Sequence, residues 1–120
     1  MLLIYLLPNQ LGINLLGYSV DEMEKRSPHC PLPRIKVLIA TGRVRATFSA
    51  LRGGAAMGFD FADMIAVVME LTPKDFYKSM TTHADPRIWQ DVYRPSTEAG
   101  SVYLKLTVIE DVLIVSFKEL

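Results

Sequence analysis

Asp75-Phe76-Tyr77-Lys78-Ser79-Met80-Thr81 and Trp89-Gln90-Asp91-Val92-Tyr93-Arg94-Pro95 are the two runs that decide how this chain folds. Val, Tyr, Trp, Phe, Thr and Met dominate them, and a proline follows the second, so both read as β-strands. Both also carry hydrophilic groups in their middles: Lys78, Gln90 and Asp91. A strand that served only a core would place apolar residues there. Two further strand runs follow and bring Tyr103, Lys105 and Lys118. The sheet is thus expected to collect two or three ammonium groups, an amide and a phenol. Such a set can hold a phosphate and move a proton on it.

Working outward, the strands read as residues 76–82, 88–94, 101–109 and 112–117. Turns fall at His83-Ala84-Asp85-Pro86, at residues 95–100 and at Glu110-Asp111. The last is a two-residue connection, which makes a hairpin of the final two strands. Side chains alternate between the faces of a strand. Val102, Leu104, Leu106 and Val108 therefore form a buried face, and Tyr103, Lys105 and Thr107 a polar one. In the last strand Leu113, Val115 and Phe117 read as buried, which leaves Ser116 and Lys118 opposite. Tyr103 and Lys118 then share the open face of the hairpin. Gln90 shares its side with Ile88, Val92 and Arg94, while Trp89 and Tyr93 take the other. Lys78 lies with Phe76, Met80 and Thr82. Both sides of these two strands are mixed, and alternation does not choose between them.

Upstream the period changes. After a proline-broken lead-in from Ser27 to Pro33, Leu32, Ile35, Leu38 and Ile39 recur at helical spacing, with Gly42 as a stop. Residues 43–46 can add a small strand. Thr47 can cap a second helix with Phe48, Leu51 and Ala55 on one side. Gly53-Gly54 within it costs about 1 kcal/mol per glycine relative to alanine. The pair is not a phosphate loop, since no strand precedes it and no Gly-Lys-Ser/Thr follows. Gly58 ends that helix. Asp60 caps a third, with Asp63 at its third position, and Phe61, Met64, Ile65, Val68 and Leu71 mark its core face. Thr72-Pro73-Lys74-Asp75 starts one further turn. The expected fold is α/β of the α+β kind: three N-terminal helices packed on a mostly antiparallel twisted sheet.

A chain of 120 residues, half of them hydrophobic, fits one folded domain. Thirteen basic and thirteen acidic residues give a formal net charge of zero, which excludes a strongly cationic nucleic-acid coat. Residues 23–46 do concentrate Lys25, Arg26, Arg34, Lys36, Arg43 and Arg45 against Glu24 alone. That excess can attract an RNA backbone, although the count by itself favours a solubilising helix face. The single Cys30 excludes an intramolecular disulfide and a multi-cysteine zinc site, and His29 beside it does not supply the three or four ligands zinc needs. No metal and no cofactor is expected. A free thiol suits the cytoplasm, and no apolar run approaches the roughly 20 residues needed to span a bilayer.

The residues narrow the chemistry by elimination. Two histidines and one cysteine build no convincing triad, and no carboxylate pair or cluster suggests a glycosidase or a magnesium nuclease. Metal-free phosphoryl chemistry on RNA remains, because RNA carries its own nucleophile in the 2′-hydroxyl. In that reading Lys78 and Lys118 supply positive charge. Tyr103 moves a proton, if nearby ammonium groups lower its pKa from about 10. Gln90 holds a phosphate oxygen or a base edge. Tyr77 and Met80 abut an unpaired base, and Arg94 binds a flanking phosphate. The ordinary alternatives are a solvated lysine, a plain sheet tyrosine and a hydrogen-bonding glutamine. On the residues alone those are favoured. A non-catalytic RNA- or protein-binding regulator that acts with a partner is the competing function.

A resemblance shifts the balance. Asp75 to Met80, the run Trp89 to Pro95, Val102-Tyr103-Leu104-Lys105, and Asp111 to Lys118 closely resemble the motility quorum-sensing regulator toxin family. The resemblance runs from Met23-Glu24-Lys25-Arg26 to Leu120. It implies a toxin of a type II toxin–antitoxin pair with a fold similar to RelE-type bacterial ribonucleases. It also implies an mRNA interferase that cuts at GC-containing sites such as GCU and so stops translation, and links to biofilm formation and motility. The family's proposed catalytic set falls on Lys78, Gln90, Tyr103 and Lys118, and its RNA contacts on Tyr77, Met80 and Arg94. The implied partner is a cognate antitoxin with a zinc-binding amino-terminal domain and a helix-turn-helix DNA-binding domain. The zinc belongs to that partner, and operator DNA is met only through it. Four features depart from the pattern: residues 1–22, Gly53-Gly54, His83 in place of a phenol, and Leu120 in place of a lysine. Residues 1–22 open with Met1-Leu2-Leu3-Ile4-Tyr5-Leu6-Leu7 and break at Pro8, without the cationic start or cleavage site of a signal peptide. They read as an apolar arm or as translation from a start upstream of Met23. The second is favoured, because the resemblance begins at Met23, and residues 23–120 then form the single toxin domain.

Overall fold

A computed structural model describes residues 23–120. The expectations for residues 1–22 lie outside the described residues. Helix α1, Leu32–Ala40, buries Ile35, Leu38 and Ile39, as its spacing predicts. Helix α2, Phe48–Ala56, is capped by the Thr47 hydroxyl, which accepts from the Ala50 N–H. Helix α3, Phe61–Met69, has a reciprocal capping box between Asp60 and Asp63 and buries Met64 and Val68. Gly42 and Gly58, at φ +82° and +87°, stop the first two helices in a region that L side chains rarely adopt. A single 3-10 turn, Pro73–Asp75, leads into the sheet. None of the described helices is long and apolar enough to cross a membrane.

The strands are β1 Glu24–Lys25, β2 Val44–Ala46, β3 Phe76–Thr81, β4 Trp89–Tyr93, β5 Ser96–Thr97, β6 Gly100–Val108 and β7 Val112–Glu119. They order β1-β3-β4-β6-β7-β2, with β5 paired to β6 off this path. All pairs are antiparallel except β2 with β7. Among the described residues the fold is α+β, three helices with a mixed, mostly antiparallel open sheet. Ile35, Leu38, Ile39, Ala50, Met64 and Val68 of the helices share one core with Tyr93, Val102, Leu104, Leu106, Ile114 and Phe117 of the sheet.

Several details depart from the reading of the sequence, among them Phe61, which is expected on the core face of α3 and instead lies exposed at its first turn. In α2 the buried positions are Ala50 and Gly54, while Phe48 is 73% exposed and Leu51 faces outward too. The small residues face inward because α2 presses against the sheet. A Cβ on Gly53 would lie 1.9 Å from the Phe117 carbonyl oxygen, and one on Gly54 would lie 2.6 Å from Met64 Sδ. The glycines cost helix propensity and permit this approach. In β7 the buried residues are Val112, Ile114 and Phe117, not Leu113 and Val115. A register shift passes from Lys105↔Ser116 to Leu106↔Ile114, so Val115 has no direct partner and the alternation resets. A second shift lies between Phe76 and Lys78 in β3. Phe76 packs edge-on against Tyr93 and joins the core, so it does not share a side with Lys78. Finally, Val108 pairs with Val112, so residues 109–111 make a three-residue connection, not the two-residue one expected.

Candidate active site

The face of the sheet turned away from the core follows from the registers. Lys78 pairs with Val92, Val92 with Lys105, and Lys105 with Ser116, so one row crosses β3, β4, β6 and β7. Val92 is fully buried yet is no part of the main core cluster, which marks this row as the other face. One step along β3 and β4, Met80 pairs with Gln90. In the opposite direction, Tyr103 is the direct partner of Lys118. The sheet therefore brings Lys78, Gln90, Tyr103 and Lys118 to one face. Met80 and Arg94 stand on that face too, two positions from Lys78 and Val92 respectively.

Cations and phenol rings alternate across this surface. Lys118 Nζ stands 5.4 Å from the Tyr103 ring centroid, and Lys105 Nζ 5.8 Å. The Arg94 guanidinium lies 3.8 Å over the Tyr77 ring, with Lys78 Nζ at 5.5 Å and Arg26 at 5.8 Å. Tyr77 sits where the β3 register shifts, which sets its ring among these charges. At such distances a cation is attracted to the ring face and held over it. Lys78 is mostly covered, with 19% of its side chain exposed, and its Nζ donates to Glu24 Oε2 at 2.5 Å. That hydrogen bond pushes the Lys78 pKa up, against the opposing pull of burial, with smaller upward contributions from the charge of Glu24 and from Tyr77 and Tyr103.

Asp91, hydrophilic like its neighbour Gln90, belongs to the other face. It is 3% exposed, and its carboxylate accepts from the N–H of His29, the N–H of Cys30 and the hydroxyl of Ser79 at 2.9, 2.9 and 2.6 Å. It anchors the loop before α1 to the sheet. His29 stacks on Trp89 on that same side, 5.6 Å between ring centroids, and not among the cations of the open face. Nearby, burial and the Asp91 charge raise the pKa of Tyr93, whose hydroxyl is buried without a hydrogen-bond partner among the described residues.

The basic excess of residues 23–46 disperses. Lys36 donates to the Leu71 carbonyl, Arg43 and Arg45 pair with Asp111, and Lys25 covers Trp89 at 4.1 Å. Arg26 reaches the open face, where it donates to the Tyr77 carbonyl. Arg26 and Glu24 are the residues that sequence reasoning did not assign to the site. Their spacing of two is the one local hint, since it puts both on one side of a strand. Their pairing to β3, more than 50 positions away, has no local signal. A cleft of about 540 Å³ lies elsewhere, lined by Asp63, Glu70, Asp75 and Glu98, a charge that repels a phosphodiester. Among the described residues no three His, Cys, Asp or Glu side chains are grouped to hold a metal ion.

The open face can bind an anion along a line of cations and offers phenol and ammonium groups for proton transfer. Two comparisons bear on what it acts upon. The family described as "Motility quorum-sensing regulator, toxin of MqsA" matches residues 27–119. A protein named mRNA interferase toxin MqsR, from Escherichia coli (strain K12), is 58% identical over 97 residues, which cover 81% of this chain and 99% of the relative.

Proposed function

This chain belongs to the motility quorum-sensing regulator toxin family, and on that premise we propose that it is a toxin of a toxin–antitoxin pair and an endoribonuclease that cleaves mRNA at short GC-containing sites such as GCU. The observation that supports this most is the direct pairing of Tyr103 with Lys118 on the face that also holds Lys78 and Gln90. In this reading the 2′-oxygen of the substrate attacks the adjacent phosphorus, the P–O5′ bond breaks, and a 2′,3′-cyclic phosphate is left. Lys78 and Lys118 offset the charge that grows on the phosphorane oxygens. Tyr103, set between Lys105 and Lys118, exchanges the proton, and Gln90 holds a phosphate oxygen or base edge. Tyr77, Met80 and Arg94 receive the flanking nucleotides on the same face. The reading carries with it a fold similar to RelE-type ribonucleases.

The partner is an antitoxin, as membership of a toxin family implies. We propose that it carries a zinc-binding amino-terminal domain and a helix-turn-helix domain, through which the pair meets operator DNA, and that the toxin acts in the cytoplasm. The decisive experiment incubates purified protein with a GCU-containing RNA, with and without EDTA. Cleavage in both, with products ending in 2′,3′-cyclic phosphate or 3′-phosphate, is expected. Binding without cleavage under every condition would replace this reading with a non-catalytic regulator.

A further inference from the structure

We propose that Glu24 is a positioning residue of this site: its carboxylate, carried on the edge strand β1, holds the Lys78 ammonium in place on the open face and yields it to the RNA phosphate. The inference rests on the ribonuclease reading and adds to it a residue from the far edge of the sheet.

β1 is two residues long, yet its place is fixed at several points. Glu24 pairs with Met80 and Lys25 with Ser79. The Thr81 N–H donates to the Met23 carbonyl, and the Met23 N–H donates to the Thr81 hydroxyl at 2.9 Å. Alternation then sends Glu24 to the open side with Met80 and Lys25 to the Trp89 side, and Arg26, just past the strand, reaches the Tyr77 ring. The Glu24 carboxylate meets Lys78 Nζ at 2.5 Å, with 46% of the acid's side chain exposed against 19% of the lysine's. An ion pair this accessible adds little stability. Its effect is on geometry, because a lysine head on a four-carbon stem is otherwise free to wander.

The charges around Lys78 sharpen the point. Arg26 just after β1, Arg94 just after β4 and Lys105 in β6 are cations near or in its row, and Tyr77 and Tyr103 are the phenols that face it. Without Glu24 the pull of burial, which favours loss of the Lys78 proton, is no longer opposed by its hydrogen bond. With it, the hydrogen bond dominates and the ammonium is retained to higher pH. A half-exposed carboxylate also repels an incoming phosphodiester. Removal of Glu24 should therefore lower the rate of the chemical step without weakening RNA binding, a split that a lost RNA contact does not produce, and the Lys78 titration midpoint separates it from a mere loss of folded protein.

The test uses the full chain with Glu24→Gln and Glu24→Ala, a GCU-containing RNA, and NMR titration of the Lys78 side chain without RNA. Expected for alanine is a kcat about ten- to a hundredfold lower with KM unchanged or lower, in line with the cost of a misplaced catalytic group. The alkaline limb of the kcat profile should move to lower pH, and glutamine, which keeps an acceptor, should recover part of the rate. The Lys78 titration midpoint should fall in both variants. An unchanged midpoint and an unchanged kcat overturn the proposal, and so does a raised KM at constant kcat. If the unaltered protein leaves RNA intact, the ribonuclease reading falls, while a lower midpoint in the variants still upholds Glu24 as the group that holds Lys78.

Discussion

Two pairs of polar residues sit side by side on the same two strands and meet opposite fates. Lys78 and Gln90 occupy the open face, partly covered and turned toward other charges. Ser79 and Asp91, one position along each strand, are buried and bonded to each other and to the loop before α1. In the sequence all four are hydrophilic breaks in apolar strands. The difference is in what satisfies them. Asp91 has three protein donors, so it costs little to keep and much to remove. Among the described residues Lys78, Lys118 and Arg94 lie over phenol rings and Lys78 meets the half-exposed Glu24 carboxylate, contacts that can be exchanged for an anion. A polar residue in a strand is therefore structural where its partners are saturated by the protein, and available for chemistry where they are not.

This contrast can be broken from either side. The largest expected effect is on the buried side: Asp91→Ala leaves three donors unmet and should destabilise the fold by about 3 kcal/mol or more, read from urea unfolding. Asp91→Asn, which keeps one acceptor, should cost less. Next come Lys78→Ala and Tyr103→Phe, each expected to lower RNA cleavage about a hundredfold while stability stays within about 0.5 kcal/mol. Two variants that cleave like the unaltered protein would remove both roles. Gly53→Ala should cost about 1–3 kcal/mol, because its Cβ would push α2 off the Phe117 carbonyl. Tyr93→Phe is the smallest. It removes a hydroxyl that has no partner among the described residues, so stability should hold or rise by up to about 1 kcal/mol in a thermal melt. A clear loss there would reveal a bond that Tyr93 makes and the contrast overlooks.

Much of the scaffold was legible. The caps at Thr47 and Asp60, Met64 and Val68 on the core face of α3 and the four long strands all rest on local signals and stand close to where the residues put them, whereas Phe61, read onto the same face, is exposed at the first turn of the helix. The facing of Tyr103 and Lys118 was legible too, though partly for the wrong reason. Simple alternation assigned Val115 to the core, and the register shift at that residue restored Phe117 to the inside and Lys118 to the outside. The shift at Tyr77 likewise separated Lys78 from Phe76. Bulges answer to the twist and pairing of neighbouring strands, so a single strand's residues do not announce them. The inward glycines of α2 were misread because helix propensity describes an isolated helix, and their worth lies in the closeness of Phe117. Glu24 and the Asp91 anchor were hidden for the same reason: each joins segments more than 50 positions apart.

The parallel contact of β2 with β7 has a kinetic consequence. Thr47, at the end of β2, donates its hydroxyl to the Val115 carbonyl across 68 positions of chain. Closing a loop that long costs entropy before any pairing repays it. The β6–β7 hairpin needs no such closure, so it should order early and β2 should dock late, giving folding on the slower, millisecond-to-second scale of non-local topologies. The amides of β2 would then be among the first in the sheet to exchange their hydrogens with solvent, a fraying seam on the edge opposite β1.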